Sequence, residues 1–263
     1  MRKISKISFY LATAVILAAI FLHWKLPKNK IADSKKPIEF ATPAEKNSSP
    51  TEGKIEISSQ EINTAPKIDE PSSTLPEKYL LAIPFYSQAP LSKWDTFHEE
   101  MCEEASVLNA GLYLENKKLT KDQFEAELQK MKKMEEKELG VWKSTTVSQI
   151  KKVADLYFEG KIKSKILDNP TIEQIESQVV AGNPVTVPLS GRDIGNPNFT
   201  PPGPVYHMLV VKGFDSQNFI TNDVGTRKGD SYTYKKDVIM KNIHDWNEKD
   251  IHLGASRVLV LYK

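Results

Sequence analysis

Residues 206–222 have the sequence YHMLVVKGFDSQNFITN, and this stretch decides the fold that we expect. The run at 206–214 is mostly apolar, residues 215–218 are typical of a turn, and residues 219–222 again favour a strand. Two such strands joined by a short polar turn predict an antiparallel hairpin. Four further stretches have strand character and extend the predicted sheet: Tyr79–Pro84, Val185–Leu189, Ser231–Tyr234 and Arg257–Tyr262.

Helical patterns come mainly before this sheet. The segment Cys102–Leu114 is rich in apolar side chains and predicts a helix, and Lys235–Trp246 predicts a later one. A Thr-x-x-Gln capping box opens each of three other predicted helices; they start at Thr120 (continuing to about Lys137), at Thr146 and at Thr171, the last ending near Gly182. Helices followed by strands indicate an α+β fold rather than an alternating α/β fold.

The composition is that of a globular protein, with 263 residues of which 40% are hydrophobic and 27% are charged. The 36 basic and 34 acidic side chains nearly balance, so no nucleic-acid partner is expected. A single cysteine, Cys102, excludes an intramolecular disulfide.

The N-terminus carries an uncharged run, Ile7–Trp24, that follows three basic residues. As a helix this run would span about 27 Å, close to the hydrocarbon thickness of a bilayer. It ends in the bulky sequence FLHWK and lacks the small residues of a cleavage site, so residues 1–27 predict a transmembrane signal anchor. Cleavage and secretion are the alternative.

Lysines also follow the run, so the distribution of basic residues does not decide the orientation. We expect a single-pass protein of the cell membrane with its folded domain on the extracytoplasmic side, because a short basic N-terminal tail normally stays inside. Residues 28–78 contain regularly placed prolines among Ser, Thr, Lys and Glu, which predicts a disordered linker. Residues 79–263 then form the folded domain.

Four residues suggest thiol chemistry. Cys102 begins a predicted helix, where the helix dipole lowers the pKa of a thiol. His207 is the best candidate base, and the predicted hairpin would bring Asp223 close enough to orient its ring. Gln88 lies in a loop upstream and could donate an amide N–H to an oxyanion. A buried, inert cysteine remains the alternative, because free cysteine is among the most buried residue types.

Acidic residues flank the cysteine at positions 99, 100, 103 and 104. Their charge would raise the pKa of the thiol, but at helical spacing we expect most of them to point to solvent, where the effect is screened. Trp94 and Tyr206 are candidate substrate-binding residues, and Trp246 is a further candidate pocket wall, with a role in the core as the alternative for both tryptophans. Residues 199–204 are a candidate substrate-side loop.

Several stretches, taken together, resemble the C39-like peptidases, a group of papain-like cysteine peptidases. They are IPFYSQAP at 83–90, CEEAS at 102–106, GNPV at 182–185, YHMLVVKGFD at 206–215 and NDVGTRKG at 222–229. Many members have Asp-Pro where this chain has Asp223 and Val224, and the glutamates after the cysteine belong to the family pattern.

The resemblance implies a papain-like fold in which the cysteine helix packs on an antiparallel sheet that carries the histidine and the aspartate. It implies Cys102 as nucleophile, His207 as base and acid, Asp223 as orienting residue, and Gln88 with the Cys102 backbone N–H as oxyanion hole. The implied activity is hydrolysis of a peptide or protein substrate, with neither metal nor cofactor. Amide transfer or deamidation is one alternative and a non-catalytic binding module is another, and the oligomeric state stays open.

Overall fold

The computed structural model describes residues 75–263. The predicted anchor, residues 1–27, and nearly all of the predicted linker lie outside the described residues. Among residues 75–263, no helix combines the length and the apolar character needed to cross a bilayer.

Six α-helices and seven strands make up the described part of the chain. The helices are α1 Thr96–Glu99, α2 Cys102–Glu115, α3 Lys121–Leu139, α4 Val147–Tyr157, α5 Ile172–Val180 and α6 Lys236–Lys241. The strands are β1 Tyr79–Leu80, β2 Lys163–Asp168, β3 Val185–Ser190, β4 Tyr206–Phe214, β5 Asn218–Asn222, β6 Tyr232–Lys235 and β7 Arg257–Tyr262. A short 3-10 helix at Ile251–Leu253 precedes β7.

The strands form one antiparallel sheet in the order β2-β7-β3-β4-β5-β6, and β1 pairs with β4. The predicted hairpin is confirmed, since β4 and β5 pair from Val210 opposite Asn222 to Phe214 opposite Phe219. The fold is therefore α+β, as the order of the elements predicted.

The sheet lies between two layers of helices, and β7 contributes to both. Leu259 and Leu261 pack into a cluster with α2, α3 and α4, whereas Val258 and Val260 pack into a second cluster with α5 and α6. This alternation follows from the two-residue period of a strand. Burying one such side chain completely contributes about 1.5–3 kcal/mol, so the central strands account for much of the stability.

All three predicted capping boxes are confirmed. Thr120, Thr146 and Thr171 each accept a hydrogen bond from the backbone of the glutamine three residues later, whose side chain bonds back. Gly182 has a φ of 84°, as expected of a glycine just beyond the end of α5.

Two predicted elements were wrong in extent. The strand expected at Tyr79–Pro84 stops at Leu80, and the carbonyls of Ile83 and Pro84 instead accept hydrogen bonds from the side chain of Asn222. The helix expected at Lys235–Trp246 stops at Lys241, because Ile243 forms a β-bridge with Leu189 of β3. Tertiary pairing overrides local propensity in this second case.

Candidate active site

The N-terminus of α2 is docked against the buried start of β4, on the side that β5 does not cover. Met208 lies opposite Pro188 of β3, whose carbonyl accepts from the His244 N–H on the far side of that strand, and β5 begins to pair only at Val210. The peptide groups of Met208 therefore face α2: its carbonyl accepts from the Ser106 hydroxyl at 3.1 Å, and its backbone N–H lowers the pKa of the Cys102 thiol. This docking sets the cysteine beside the residue that follows His207.

The Cys102 side chain is 5% exposed, and its thiol donates a hydrogen bond to Oε2 of Glu103 at 2.9 Å. Burial raises the pKa of the thiol well above its ordinary value, and the charges of Glu103 and Glu104 raise it further, while the Met208 amide lowers it. The helix start alone predicted a lowered pKa, and the surroundings reverse that direction.

The expectation that most of the flanking glutamates point to solvent was wrong for Glu103 and Glu104, each of which is 1% exposed. The whole stretch Cys102–Leu112 is buried, so α2 has no solvent-facing side at its start. Burial and the neighbouring charge of Glu104 raise the pKa of Glu103 to about 8.

His207 and Asp223 form a buried pair in which the histidine Nε2 lies 2.8 Å from the aspartate Oδ1. The second oxygen, Oδ2, accepts from the Tyr234 hydroxyl at 2.5 Å and from Asn196 Nδ2 at 2.8 Å. Burial alone would raise the pKa of Asp223, but His207 and these donors outweigh it and the pKa is lowered. The carboxylate is therefore held as an anion that orients the imidazole.

The ring of His207 is held on its other sides by Phe199 and Gly225. The Phe199 ring stands edge-on to it at 5.2 Å between centroids. A Cβ at Gly225 would lie 2.7 Å from His207 Cε1, closer than real side chains approach, so a glycine is needed there. Because Nε2 is engaged with Asp223, Nδ1 is the ring nitrogen left for proton exchange with a thiol.

Gln88 is brought to the same region through its backbone, whose N–H donates to the carbonyl of Val224 at 2.9 Å. Its side-chain amide points elsewhere: Nε2 donates to the carbonyls of His98 at 2.8 Å and Glu99 at 3.2 Å. Gln88 Oε1 is buried without a hydrogen-bond partner among the described residues. The amide is thus committed to α1 in this structure rather than directed into an oxyanion site.

The other sequence candidates lie in different surroundings. Trp94 is 40% exposed in the loop before α1. Tyr206 is buried, with its hydroxyl donating to the Thr145 carbonyl at 3.1 Å and its ring 5.6 Å from that of Trp246. Phe199 lines an open cleft of about 300 Å³ together with residues 191–203.

Sequence reasoning missed Asn196, Tyr234 and Thr145. The first two orient Asp223, and Thr145 donates its backbone N–H to Glu103 at 2.8 Å. Each lies far from its partner in sequence and carries an ordinary polar side chain, so no local signal marks it. Within residues 75–263, no group of three or more His, Cys, Asp and Glu side chains is arranged to hold a metal ion.

Comparison with known proteins gives a family match over most of the described domain. A family model described as "Peptidase_C39 like family" matches residues 80–250. A candidate C39-like peptidase from Bacillus anthracis is among the similar solved structures, with 18% identity and a TM-score of 0.49 over 72% of this chain and 98% of that chain. No curated protein sequence matches this chain.

Proposed function

The chain belongs to the Peptidase_C39 like family, and we propose that it is a cysteine peptidase that hydrolyses peptide bonds with Cys102 as its nucleophile. The observation that carries the proposal is the docking of α2 on β4. Cys102 lies in the same buried cluster as Met208, to which Ser106 of α2 is bonded, and the residue before Met208 is His207, whose imidazole is bonded to Asp223. A thiol, a base and a group that orients the base are the parts that such a peptidase requires.

In the proposed reaction, the Cys102 thiol gives its proton to Nδ1 of His207 and the sulfur attacks the peptide carbonyl. The imidazolium, stabilised by Asp223, then protonates the leaving amine, and water hydrolyses the thioester. The Cys102 backbone N–H, at the start of α2, is one donor for the oxyanion. Gln88 would supply a second only after its amide leaves the carbonyls of α1.

The proposed substrate is a peptide or a protein. The cleft beside Phe199 adjoins the catalytic imidazole and provides room for a substrate side chain. The exposed ring of Trp94 is a further candidate contact, whereas the Tyr206 hydroxyl already has a partner inside the protein.

The experiment is cleavage of a peptide library by the full chain in detergent, read by mass spectrometry, with Cys102→Ala and His207→Gln as controls. We expect cleavage that both substitutions abolish. Cleavage that survives Cys102→Ala would refute the proposal. Adducts formed with an added amine, in place of hydrolysis products, would instead support the amide-transfer alternative.

A non-catalytic binding module is favoured by one observation, which is that the thiol bonds to Glu103 in this structure. A thiol trap such as iodoacetamide separates the two functions. In a peptidase, labelling of Cys102 should slow when His207 is replaced by glutamine, because the base activates the thiol, whereas in a binding module the substitution should leave the rate unchanged.

We also propose that residues 1–27 anchor the enzyme in the cell membrane with the peptidase domain outside the cytoplasm. The length and apolar character of Ile7–Trp24 support this proposal. Fractionation of cells that express the full chain tests it, because deletion of residues 1–27 should move the protein from the membrane to the soluble fraction.

A further inference from the structure

We propose that Glu103 is a positioning residue of this active site, which holds Cys102 as an un-ionised thiol until substrate is bound. The role of Glu103 in catalysis rests on the proposed function, but its effect on the Cys102 thiol does not. The proposal predicts that the only nucleophile of the chain rests protonated, a form that resists oxidation and alkylation better than a thiolate does.

The hydrogen bond between the Cys102 thiol and the Glu103 carboxylate has both partners held in place. The sulfur lies 2.9 Å from Glu103 Oε2. The other oxygen, Oε1, accepts the Thr145 backbone N–H at 2.8 Å and lies 3.3 Å from the Thr145 hydroxyl. Thr145 is itself held through its carbonyl by the Tyr206 hydroxyl at 3.1 Å. The carboxylate therefore cannot swing away from the sulfur without breaking a buried hydrogen-bond chain.

The partners of Glu103 also indicate where the proton resides. A backbone N–H can only donate, so Oε1 must accept, and a carboxylate suits the thiol as a second donor. A thiolate at this distance would face a buried like charge, which is strongly unfavourable. Above the Glu103 pKa of about 8 the pair carries one proton, and that proton sits on sulfur because the carboxylate accepts from both Thr145 and the thiol.

The other ionisable groups around the thiol act mostly in the same direction. Glu104 lies on α2 itself, and Glu135 faces it from α3 within hydrogen-bond reach. On β4, Tyr206 and His207 flank the site, and His207 is paired with Asp223. Of these groups, only His207 can carry a positive charge that favours a thiolate.

Activation then requires a single exchange of partners. The S–H bond breaks as the proton passes from sulfur to Nδ1 of His207, the hydrogen bond from sulfur to Glu103 is lost, and a sulfur–carbon bond forms at the substrate carbonyl. Glu103 stays bound to Thr145 throughout and takes no proton from the sulfur, so it positions the nucleophile and is not itself a catalytic residue.

The test is the pH profile of Cys102 alkylation by iodoacetamide in the full chain, compared between the wild type and Glu103→Gln. Because the chain has one cysteine, the adduct that Cys102→Ala fails to form in an intact-mass spectrum reports this thiol. Gln keeps the shape and still accepts from Thr145, but it is neutral and presents an amide N–H to the sulfur. We expect the midpoint of the profile to fall by at least about one pH unit. The rate at pH 8.5 should rise about threefold per unit, since nucleophilicity falls as the thiol pKa falls.

Glu104→Gln is the matched control, because Glu104 is equally buried and lies on the same helix but does not bond to the sulfur. Its shift should be clearly smaller than that of Glu103→Gln. Equal shifts would overturn the proposal in favour of a general effect of buried charge. An unchanged or raised midpoint in Glu103→Gln would also overturn the proposal, provided that the near-ultraviolet circular dichroism shows that the variant is folded like the wild type.

If Glu103→Gln does not fold, Glu103→Asp is the second variant, because its shorter side chain withdraws the carboxylate from the sulfur: the midpoint should fall, and an unchanged midpoint overturns the proposal. A wild-type midpoint near 7 or below overturns it in either case. The outcomes also separate the two proposals. If Glu103→Gln does not shift the alkylation midpoint and the wild type still cleaves peptides, only the role of Glu103 is refuted. If the midpoint shifts but no peptide is cleaved, only the peptidase function is refuted.

Discussion

Asp223 is the residue whose surroundings say most about the proposed mechanism. Its oxygens accept from His207, Tyr234, Asn196 and the backbone N–H of Gly225, which lies 3.0 Å from Oδ1. A buried carboxylate with this many donors stays ionised to unusually low pH. The imidazole is thus held in one tautomer, with its proton on the nitrogen that faces Asp223.

Removing one of the hydrogen-bond donors to Asp223 should raise the pH below which activity is lost. In Tyr234→Phe the hydroxyl that donates to Asp223 is lost, so the lowered pKa of Asp223 rises towards its ordinary value. Since the carboxylate is the active form, the acid limb of the kcat/KM profile should shift to higher pH, by about one unit. At pH 7 the loss should stay far below the roughly 10⁴-fold typical of replacing the aspartate of such a triad by asparagine.

Tyr232→Phe is the control for this prediction. The Tyr232 ring packs against that of Tyr234 at 4.8 Å between centroids, so the substitution changes the same cluster without removing a donor to Asp223. An identical acid limb in the wild type and in Tyr234→Phe, measured on a cleaved library peptide, would contradict the assigned role of the hydroxyl.

For single residues, the sequence predicted which side chains meet better than it predicted how deeply they are buried. The turn at 215–218 sets the hairpin register, and that register brings Asp223 to His207. The burial of Glu103 was not predictable from spacing, because α2 is enclosed on all sides and carries no amphipathic period that could mark a solvent face.

Among the contacts between secondary-structure elements, the site depends most on the docking of α2 on β4. Ser106 is completely buried, and its hydroxyl donates to the carbonyl of Met208 at 3.1 Å. Ser106→Ala leaves that carbonyl unsatisfied, which should lower the free energy of unfolding by about 1–3 kcal/mol. Because the same contact sets the distance between α2 and His207, kcat/KM should fall as well.

Ser177→Ala offers a matched control, because Ser177 is exposed on α5 and its hydroxyl bonds only to the Glu173 carbonyl one turn earlier. We expect a change within about 0.5 kcal/mol there. Urea denaturation of the two variants measures the difference. Equal losses would mean that the contact between Ser106 and Met208 does not stabilise the docking.

Elements defined by local chemistry were predictable, and those defined by distant partners were not. The capping boxes at Thr120, Thr146 and Thr171 satisfy the first turn of their own helices, so four residues suffice to reveal them. Strand β2 has the sequence KSKILD, without a clean alternation, and forms because β7 pairs with all six of its residues. No window of sequence around β2 contains that information.

The order of the sheet makes the C-terminal residues essential to the whole molecule. β7 pairs with β2 on one side and β3 on the other, although the family match ends at residue 250. A chain that stops at residue 250 loses four completely buried side chains, Val258–Leu261, and separates β2 from the rest of the sheet. At about 1.5–3 kcal/mol each, their loss is comparable to the whole free energy of unfolding that is usual for a domain, about 5–15 kcal/mol, so we expect no cooperative unfolding transition.

The control for this truncation removes residues 1–74 and keeps every described element. Its urea midpoint should equal that of the full chain in detergent. A chain ending at residue 250 that unfolds cooperatively near the same midpoint would contradict the placement of β7 inside the sheet.

The buried glutamates should make the stability of the whole domain depend on pH. Burial is the main cause that raises the pKa of Glu103 to about 8, that of Glu135 to about 8, and that of Glu104 well above its ordinary value. Between about pH 4.5 and 8 the folded chain therefore retains protons that the unfolded chain has released, and stability falls as pH rises through this range. The lowered pKa of Asp223 affects the free energy of unfolding only below about pH 4, so it does not offset the fall in stability between pH 4.5 and 8.

We therefore expect the free energy of unfolding to be higher at pH 5.5 than at pH 8.5 by at least about 3 kcal/mol, the contribution of one such group, measured by urea denaturation. Glu135→Gln removes one of the three ionisable groups and should flatten this dependence while leaving the sheet intact. Lys132 and Glu136 supply the nearby surface charges of α3, and Glu136→Gln is the control that should leave the slope unchanged. Stability that rises towards pH 8.5 would contradict a neutral glutamate cluster behind the nucleophile.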